Sequence, residues 1–226
     1  MVSALLQDAV DGALHQMRIH PRHALQPYYR NAIYIAMPEP GETHSQYMRY
    51  AWLTIFTAQY VFPLWEQWCD HYRRDDKRAG HLLAKAERVL QGTDRVEDLR
   101  VEAEEAWSWF IDGKYITEDA DVPPRPILSA FAAIAGAGLA VAELVIALDS
   151  GQLSAHDDMS RENELNPEDE DDSITDPWSA DVALWGDDAI SAPGMWSESE
   201  ENSARLSYWT WWLTDAVPRA WTTATE

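Results

Sequence analysis

The sequence predicts an all-α protein, a multi-helix bundle or helical array around a central helix rich in alanine and glycine. Two observations predict this class: apolar residues recur at helical spacing through most of the chain, and the period-2 alternation of strands is absent. A third is the almost wholly apolar run from Ile127 to Leu148, which has the length of one long helix. We therefore expect one helical domain over residues 1–226.

The first predicted helix lies at the N-terminus and carries one apolar stripe. Its apolar residues recur at offsets 0, 4, 7, 8 and 11, which places them on one helical face. They are Leu6, Val10, Ala13, Leu14 and Met17. Pro21 and Pro27 follow and are expected to stop the helix.

A second helix is predicted from His44 to about Phe62. Thr43 and Gln46 have the spacing of a capping box at its start. The helix is apolar nearly all round, so it should lie deep in the fold. Pro63 is expected either to kink it or to begin a new helix.

The next two segments predict an antiparallel helical hairpin. The first stripe consists of Leu82, Leu83, Ala86, Val89 and Leu90, and the facing stripe of Val96, Leu99, Ala103, Ala106, Trp107 and Phe110. Gly92 is placed to cap the first helix, and Asp94 with Glu97 has the spacing of a capping box for the second.

The run from Ile127 to Leu148 has the length of a membrane span, but its composition favours a core helix. Glu143 interrupts it, and no basic flank marks a cytoplasmic side. Small residues such as Gly136 and Gly138 would instead let neighbouring helices approach closely. We therefore expect a central helix that other helices enclose, and no membrane contact.

Residues 203–226 predict a C-terminal helix and tail. Ser197 and Glu200 have capping-box spacing at its start, and four residues share one face: Leu206, Trp209, Leu213 and Ala216. The helix also holds Trp211, Trp212 and Trp221. For most of these tryptophans, core packing is favoured over partner binding.

An acidic segment from Gly151 to Asn202 precedes this helix. It holds 16 acidic residues and one base, Arg161, so it carries −15 of the formal charge of −22. Adjacent carboxylates cannot be buried unpaired, so the segment must face water, a metal or a basic partner. Because it also contains tryptophans, unlike most solvating tails, a docking surface for a cationic partner is favoured over a solubilising loop. The predicted partner-binding residues are Asp157, Asp158, Glu168, Asp169, Glu170, Asp171, Asp172, Asp176, Trp178, Trp185, Asp187 and Asp188.

Charge and cysteine content exclude several other classes of protein. The strong negative charge disfavours nucleic acid and anionic lipid as partners. The one cysteine, Cys69, allows no internal disulfide and is best explained as a small buried side chain in a reducing cytoplasm. Asp8 and Asp11 lie where a signal peptide would need an apolar run, so we expect cytoplasmic localisation.

Catalytic and metal-binding motifs are mostly missing. The chain has no G-x-S-x-G, H-E-x-x-H or phosphate-binding loop, so no catalytic residues, metal or cofactor are expected. His15, His20 and His23 are close in sequence, but Pro21 breaks the spacing that would align them as ligands. The acidic block also fails as a calcium loop, because Ile174 stands where glycine is needed.

One acidic spacing leaves an enzymatic alternative open. Asp171, Asp172 and Asp176 have the D-D-x-x-x-D spacing with which all-helical isoprenoid synthases hold magnesium diphosphate. Here the spacing falls in a polar loop ahead of Pro177, and no second acidic motif accompanies it. It is therefore the weaker hypothesis.

Three segments resemble helical immunity proteins of bacterial polymorphic toxin systems. Tyr60-Val-Phe-Pro-Leu-Trp-Glu66, followed by Arg74-Asp-Asp-Lys-Arg78, is similar to their V-L-P-L-F-E … D-D-x-R segment. The Ala/Gly-rich helix over residues 129–147 also resembles theirs. Tyr208-Trp-Thr-Trp-Trp-Leu-Thr-Asp-Ala-Val-Pro218 resembles their F-W-E-W-W-L-T-E-A-V-P ending. The resemblance covers roughly residues 45–150 and 203–221.

This resemblance implies a cytoplasmic, non-enzymatic antidote that binds a cognate toxin domain. The acidic segment suits a basic toxin, because complementary charge accelerates encounter and penalises wrong partners. An acidic adaptor with another basic partner remains the alternative among binding proteins. The oligomeric state stays open.

Overall fold

The structure is a computed structural model that describes residues 2–37, 43–72, 76–112, 125–150 and 198–224. Within these ranges every regular element is helical, so the predicted all-α class is confirmed. The elements are α1 (Ala4–Ile19), α2 (Pro27–Ala36), α3 (Thr43–His71), α4 (Arg78–Leu90), α5 (Val96–Ile111), α6 (Arg125–Ser150), α7 (Glu198–Trp211), a π-helical turn (Trp212–Ala216) and α8 (Val217–Thr223).

The described residues fall into two compact units. Unit 1 contains residues 2–37, 43–53, 144–150 and 198–224, and unit 2 contains residues 54–72, 76–112 and 125–143. Each unit has its own buried apolar residues. The single domain over residues 1–226 stays a prediction.

In unit 1, α1 forms because an N-cap and an apolar stripe coincide. Ser3 Oγ accepts a hydrogen bond from the backbone N–H of Leu6 at 3.2 Å. The predicted stripe is buried at Leu6, Val10, Ala13 and Met17, and only Leu14 is half-buried. This face packs against α2, α7 and the π-helical turn. The prediction of a helix that ends before Pro21 is confirmed.

The α2 helix corrects the interpretation of Pro27 as a breaker. Pro27 is the first residue of α2, a position where its missing N–H costs no helical hydrogen bond and its fixed φ suits the helix. The helix buries Arg30 and Ile33.

The α3 helix runs without interruption from Thr43 to His71, so the prediction of a new helix beginning at Pro63 is wrong. Pro63 is exposed. Its ring leaves one carbonyl in the preceding turn without a helical partner, and on an exposed face water can bond that oxygen. The prediction of a deeply buried helix is confirmed for residues 49–58, all of which are buried.

The α4–α5 hairpin of unit 2 is confirmed. All five residues of the α4 stripe are buried, and Gly92 adopts a φ of 69°, with its N–H donating to the carbonyl of Val89 at 3.0 Å. The predicted capping box is wrong: α5 begins at Val96 without a side-chain cap, because Asp94 accepts from the N–H of Arg95 at 2.9 Å instead.

The predicted central helix is α6, which buries most of its Ala/Gly-rich face in unit 2. A Cβ added at Gly138 would lie 3.1 Å from the Cβ of Ala103 and 3.1 Å from the Cγ of Leu82, so close helix approach is confirmed there. Within the described ranges, Ile127–Ser150 is long and apolar enough to cross a membrane, yet 61% of its most apolar window is buried inside the protein. This degree of covering is typical of a core helix.

The C-terminal helix of unit 1 is interrupted by the π-helical turn, which the apolar spacing of the sequence does not predict. At the π-helical turn, the N–H of Val217 donates to the carbonyl of Trp212, five residues back. Pro218 follows directly and has no N–H to continue the α-helical pattern. Trp209, Trp212 and Trp221 are all buried, which confirms core packing for most of these tryptophans.

Candidate partner-binding surfaces

Residues 151–197 of the predicted acidic docking segment lie outside the described residues. This holds for all twelve predicted partner-binding residues: Asp157, Asp158, Glu168, Asp169, Glu170, Asp171, Asp172, Asp176, Trp178, Trp185, Asp187 and Asp188. Only its last residues, from Glu198 onward, belong to α7. The role of the segment therefore stays a prediction, as does the magnesium motif within it.

The three histidines that the sequence brings together lie in unit 1, at or near the end of α1. His15 is exposed, and His23 Nδ1 lies 3.1 Å from the carbonyl oxygen of Met17, which requires this nitrogen to carry a proton and donate. Burial lowers the pKa of His20, and the nearby Arg22 lowers it further. The interpretation of these histidines as surface or capping residues agrees with this geometry, since a positive neighbourhood repels a metal cation. Among the described side chains, no group of three His, Cys, Asp or Glu could hold a metal ion.

The segment Tyr60–Glu66, which resembles immunity proteins, contributes Trp65 to an aromatic cluster in unit 2. The Trp65 ring centre lies 4.7 Å from that of Phe131 and 6.2 Å from that of Trp109, and Trp65 is fully buried. Phe131 and Trp109 are themselves 4.8 Å apart. The cluster therefore joins α3, α5 and α6 through offset and edge contacts between rings.

Arg78 closes this cluster from the start of α4. Its guanidinium carbon lies 4.1 Å from the Trp109 ring centre, and its Nε donates to the two carboxylate oxygens of Asp76 at 2.9 and 3.1 Å. The carbonyl of Asp76 also lies 3.9 Å from the Sγ of Cys69, which is buried as predicted. The Asp76–Arg78 part of the D-D-x-R-like segment is thus a clamp that fixes the start of α4 against the ring of Trp109.

The side of α5 that faces solvent carries a mixed acidic and apolar surface, here called the α5 outer face. Its residues are all exposed: Glu97, Asp98, Val101, Glu104, Glu105, Ser108, Ile111 and Asp112. Val101 is 53% exposed and Ile111 is 61% exposed, although both are β-branched apolar side chains. Residues 94–112 hold seven acidic residues and two arginines, a formal charge of −5.

The inner side of α5 holds this face in place. Lys85 of α4 is buried and donates to Glu102 at 2.5 Å, and His81 lies 3.1 Å from the other oxygen of the same carboxylate. At the hairpin turn, Arg88 lies 3.1 Å from Asp94. The N–H of Arg95 lowers the pKa of the Asp94 carboxyl, Arg88 adds to this effect, and desolvation opposes it. The α5 outer face is therefore preformed.

The C-terminal segment that resembles immunity proteins, Tyr208–Pro218, lies in unit 1. Trp209 within it and Trp221 just after it cover buried arginines. The guanidinium carbon of Arg49 lies 3.6 Å from the Trp221 ring centre, and its Nη1 donates to the carbonyl of Met37 at 2.7 Å. Arg30 lies 5.8 Å from the Trp209 ring centre and donates to a backbone carbonyl at 2.8 Å. These tryptophans are core residues that cover cations.

The apolar spacing of the sequence predicted neither the α5 outer face nor the buried arginines. For α5, a signal was present: Val101 and Ile111 fall off the predicted apolar stripe and stand among carboxylates. For Arg30 and Arg49 no signal was available, because periodicity assigns charged residues to solvent by default.

Comparison with known proteins identifies the family. A sequence model of the family described as immunity protein Imm5 matches residues 10–219, nearly the whole chain. No curated protein matches the sequence. The match includes the Trp65–Arg78 region and the buried Trp209 and Trp212, and it confirms the resemblance to immunity proteins. The chain is a member of the Imm5 immunity protein family.

Proposed function

We propose that this immunity protein binds and neutralises a basic toxin domain in the cytoplasm, through an acidic surface and without catalysis of its own. Membership of the Imm5 family supports an immunity role. The observation that carries the finer proposal is the concentration of charge: 16 acidic residues against one base in residues 151–202. The target class follows from this charge, and toxins that act on nucleic acid are the obvious basic ones.

Charge of this density acts first on the rate of association. A basic toxin is drawn to the segment over about a Debye length, roughly 8–10 Å at moderate salt, so encounter accelerates and depends on ionic strength. The same field repels acidic proteins, anionic lipid and nucleic acid. The segment therefore raises the association rate and favours basic partners over acidic ones.

Tryptophans in the same segment supply the lasting contact. Trp178 and Trp185, with Trp196 nearby, stand among the carboxylates, and indole rings are over-represented among residues that dominate binding energy. A buried tryptophan anchor slows dissociation, whereas the carboxylates set association.

Stopped-flow binding to the cognate toxin domain, sought among the products of the neighbouring genes, tests the proposal. We compare wild type with two graded variants of residues 168–172, one with amides and one with lysines in place of the five carboxylates. Association should slow stepwise from wild type to amides to lysines, and high salt should narrow the differences. Trp178→Ala or Trp185→Ala should act on dissociation instead, by about 2 kcal/mol at a true anchor.

Equal association rates in all three proteins, with folding verified by circular dichroism, would show that the acidic block only solubilises the chain. Binding of the same strength to unrelated basic proteins would favour the acidic adaptor.

A separate assay tests the alternative of a magnesium-dependent enzyme. If the wild type consumes an allylic diphosphate with magnesium and loses this activity on Asp171→Asn, Asp172→Asn and Asp176→Asn together, the protein is an enzyme and the proposal is wrong.

A further inference from the structure

We propose that the α5 outer face is a second, preformed docking surface for the basic toxin domain, in addition to the acidic segment. The inference rests on the proposed function, since the partner is the same toxin. It concerns a different part of the chain, one that the structure describes.

The α5 outer face exposes two apolar side chains to solvent. Val101 and Ile111 are 53% and 61% exposed, and at 1.5 Å per residue they lie about 15 Å apart along the axis of α5. Ser108, a small residue, lies between them on the same face. Two apolar side chains spaced along one helical face within a polar rim match the pattern of a protein interface.

The charges on this face decide the kind of partner. Asp98 and Glu105 form no ion pair with any described residue and are exposed. Arg95 and Arg100 contact Glu97 at 3.6 Å and Glu104 at 3.1 Å. All four of these side chains are more than half exposed, so both pairs are weak and a partner's cations can replace them. The face therefore offers carboxylates around two apolar contacts, which complements a protein surface of lysines and arginines around an apolar centre.

Other occupants fit less well. A second copy of this chain would bring the same carboxylates against themselves, and nucleic acid or an anionic membrane would be repelled. A small cation would leave Val101 and Ile111 in water. The rigid support of α5 by Lys85 and Gly138 also suits a protein partner, because a preformed helix loses little entropy on binding.

The test uses the 226-residue chain and the purified cognate toxin domain, sought among the products of the neighbouring genes. One variant removes the apolar contacts by Val101→Ser with Ile111→Ser. A second reverses charge by Asp98→Lys with Glu105→Lys. All four positions are exposed, so folding should persist. Stopped-flow measurements at low and high salt give association and dissociation rates separately.

Helix α1 offers matched controls. Leu5 and Ile19 are 62% and 68% exposed, and Asp8 and Asp11 are exposed acids. Leu5→Ser with Ile19→Ser matches the apolar variant. Asp8→Lys with Asp11→Lys changes the net charge by the same amount as the α5 charge variant. The controls therefore separate a local contact from a general loss of negative charge.

We expect the α5 charge variant to associate about tenfold more slowly at low salt, and the apolar variant to dissociate about tenfold faster, with both α1 controls within about twofold of wild type. If wild type binds the toxin and both α5 variants behave like the α1 controls, the docking surface is disproved and the proposed function stands. If wild type fails to bind the toxin, both fail. The wild type could instead prove to be a dimer that becomes a monomer in the Val101→Ser, Ile111→Ser variant. That result would assign the face to a second copy of the chain and overturn the proposal.

Discussion

The guanidinium carbon of Arg49 lies 3.6 Å from the centre of the Trp221 ring, inside unit 1, and only 1% of Arg49 is exposed. An arginine stays charged at any physiological pH, so its burial must be compensated. The Met37 carbonyl and the face of the indole contribute that compensation. Trp221 therefore stabilises unit 1 by covering a buried cation.

Arg49→Lys should destabilise the protein although it keeps the charge. A lysine ammonium cannot lie flat on the Trp221 ring while also bonding the Met37 carbonyl, so we expect a loss of about 1–3 kcal/mol. Urea unfolding followed by circular dichroism measures this. The control is Arg18→Lys on α1, where the side chain is exposed. Equal unfolding midpoints for the two variants would refute the role of the stacked guanidinium.

Gly138→Ala and Gly12→Ala should have opposite effects. At Gly138 a new Cβ meets the Cβ of Ala103 at 3.1 Å, and this atom cannot rotate away, so overpacking should cost about 1–2 kcal/mol. At Gly12 nothing lies within 4 Å, so the gain in helix propensity should stabilise α1 by up to about 1 kcal/mol. Thermal unfolding of both variants tests the close packing of α6, which a stabilising Gly138→Ala would contradict.

Tyr50→Phe should change the stability of the protein at alkaline pH. Burial raises the pKa of Tyr50 to about 12 from 10.0, and its hydroxyl donates to the Tyr34 carbonyl at 2.7 Å. Because the folded state holds this proton more tightly, its contribution is complete below pH 10.0 and is lost as pH rises toward about 12. Wild type should therefore lose more stability than Tyr50→Phe across this window, by on the order of 2 kcal/mol.

Below that window, the missing hydrogen bond should leave Tyr50→Phe about 1 kcal/mol less stable than wild type. Urea unfolding at a series of pH values gives both numbers, with Tyr28→Phe, at a position that is 66% exposed, as the control. If the unfolding free energies of wild type and Tyr50→Phe fall in parallel as pH rises above 10.0, the Tyr50 hydroxyl is not shielded from solvent.

Two glutamates of α5 provide a matched comparison of ion pairs. Glu102 contacts the buried Lys85 at 2.5 Å, whereas Glu104 contacts the exposed Arg100 at 3.1 Å. Glu102→Gln leaves a buried ammonium less well compensated and should cost about 1–2 kcal/mol, while Glu104→Gln should cost less than about 0.5 kcal/mol. Chemical unfolding of both variants measures the difference. Equal losses would show that Lys85 reaches water in solution.

Helical periodicity and turn chemistry predicted most of the described fold. Gly92 was predictable because glycine after an apolar stripe suits the left-handed conformation that ends a helix, and here φ is 69°. The α4 stripe followed from apolar spacing, and the α6 helix followed from the length and small-residue composition of its apolar run. Pro27 was misinterpreted, because the same proline that stops one helix is favoured at the first position of the next.

The remaining features depend on contacts between distant residues. Nothing near Arg49 in the sequence indicates that Trp221 will cover it. The π-helical turn is the exception, because its hydrogen bond joins Val217 to Trp212 within the last helix. The α5 outer face was visible as two misplaced apolar residues, Val101 and Ile111, but its exposure had to come from the structure. The acidic segment was identified by its charge and its tryptophans, and its role stays a prediction.

The most direct test of the central claim measures inhibition. The cognate toxin domain, sought among the products of the neighbouring genes, is assayed for its own activity with increasing amounts of the immunity protein at low and high salt. We expect toxin activity to fall to background once the immunity protein is in excess, with weaker inhibition at high salt because the encounter is electrostatic. A toxin that keeps full activity in a large excess of folded immunity protein, at either salt concentration, would contradict it.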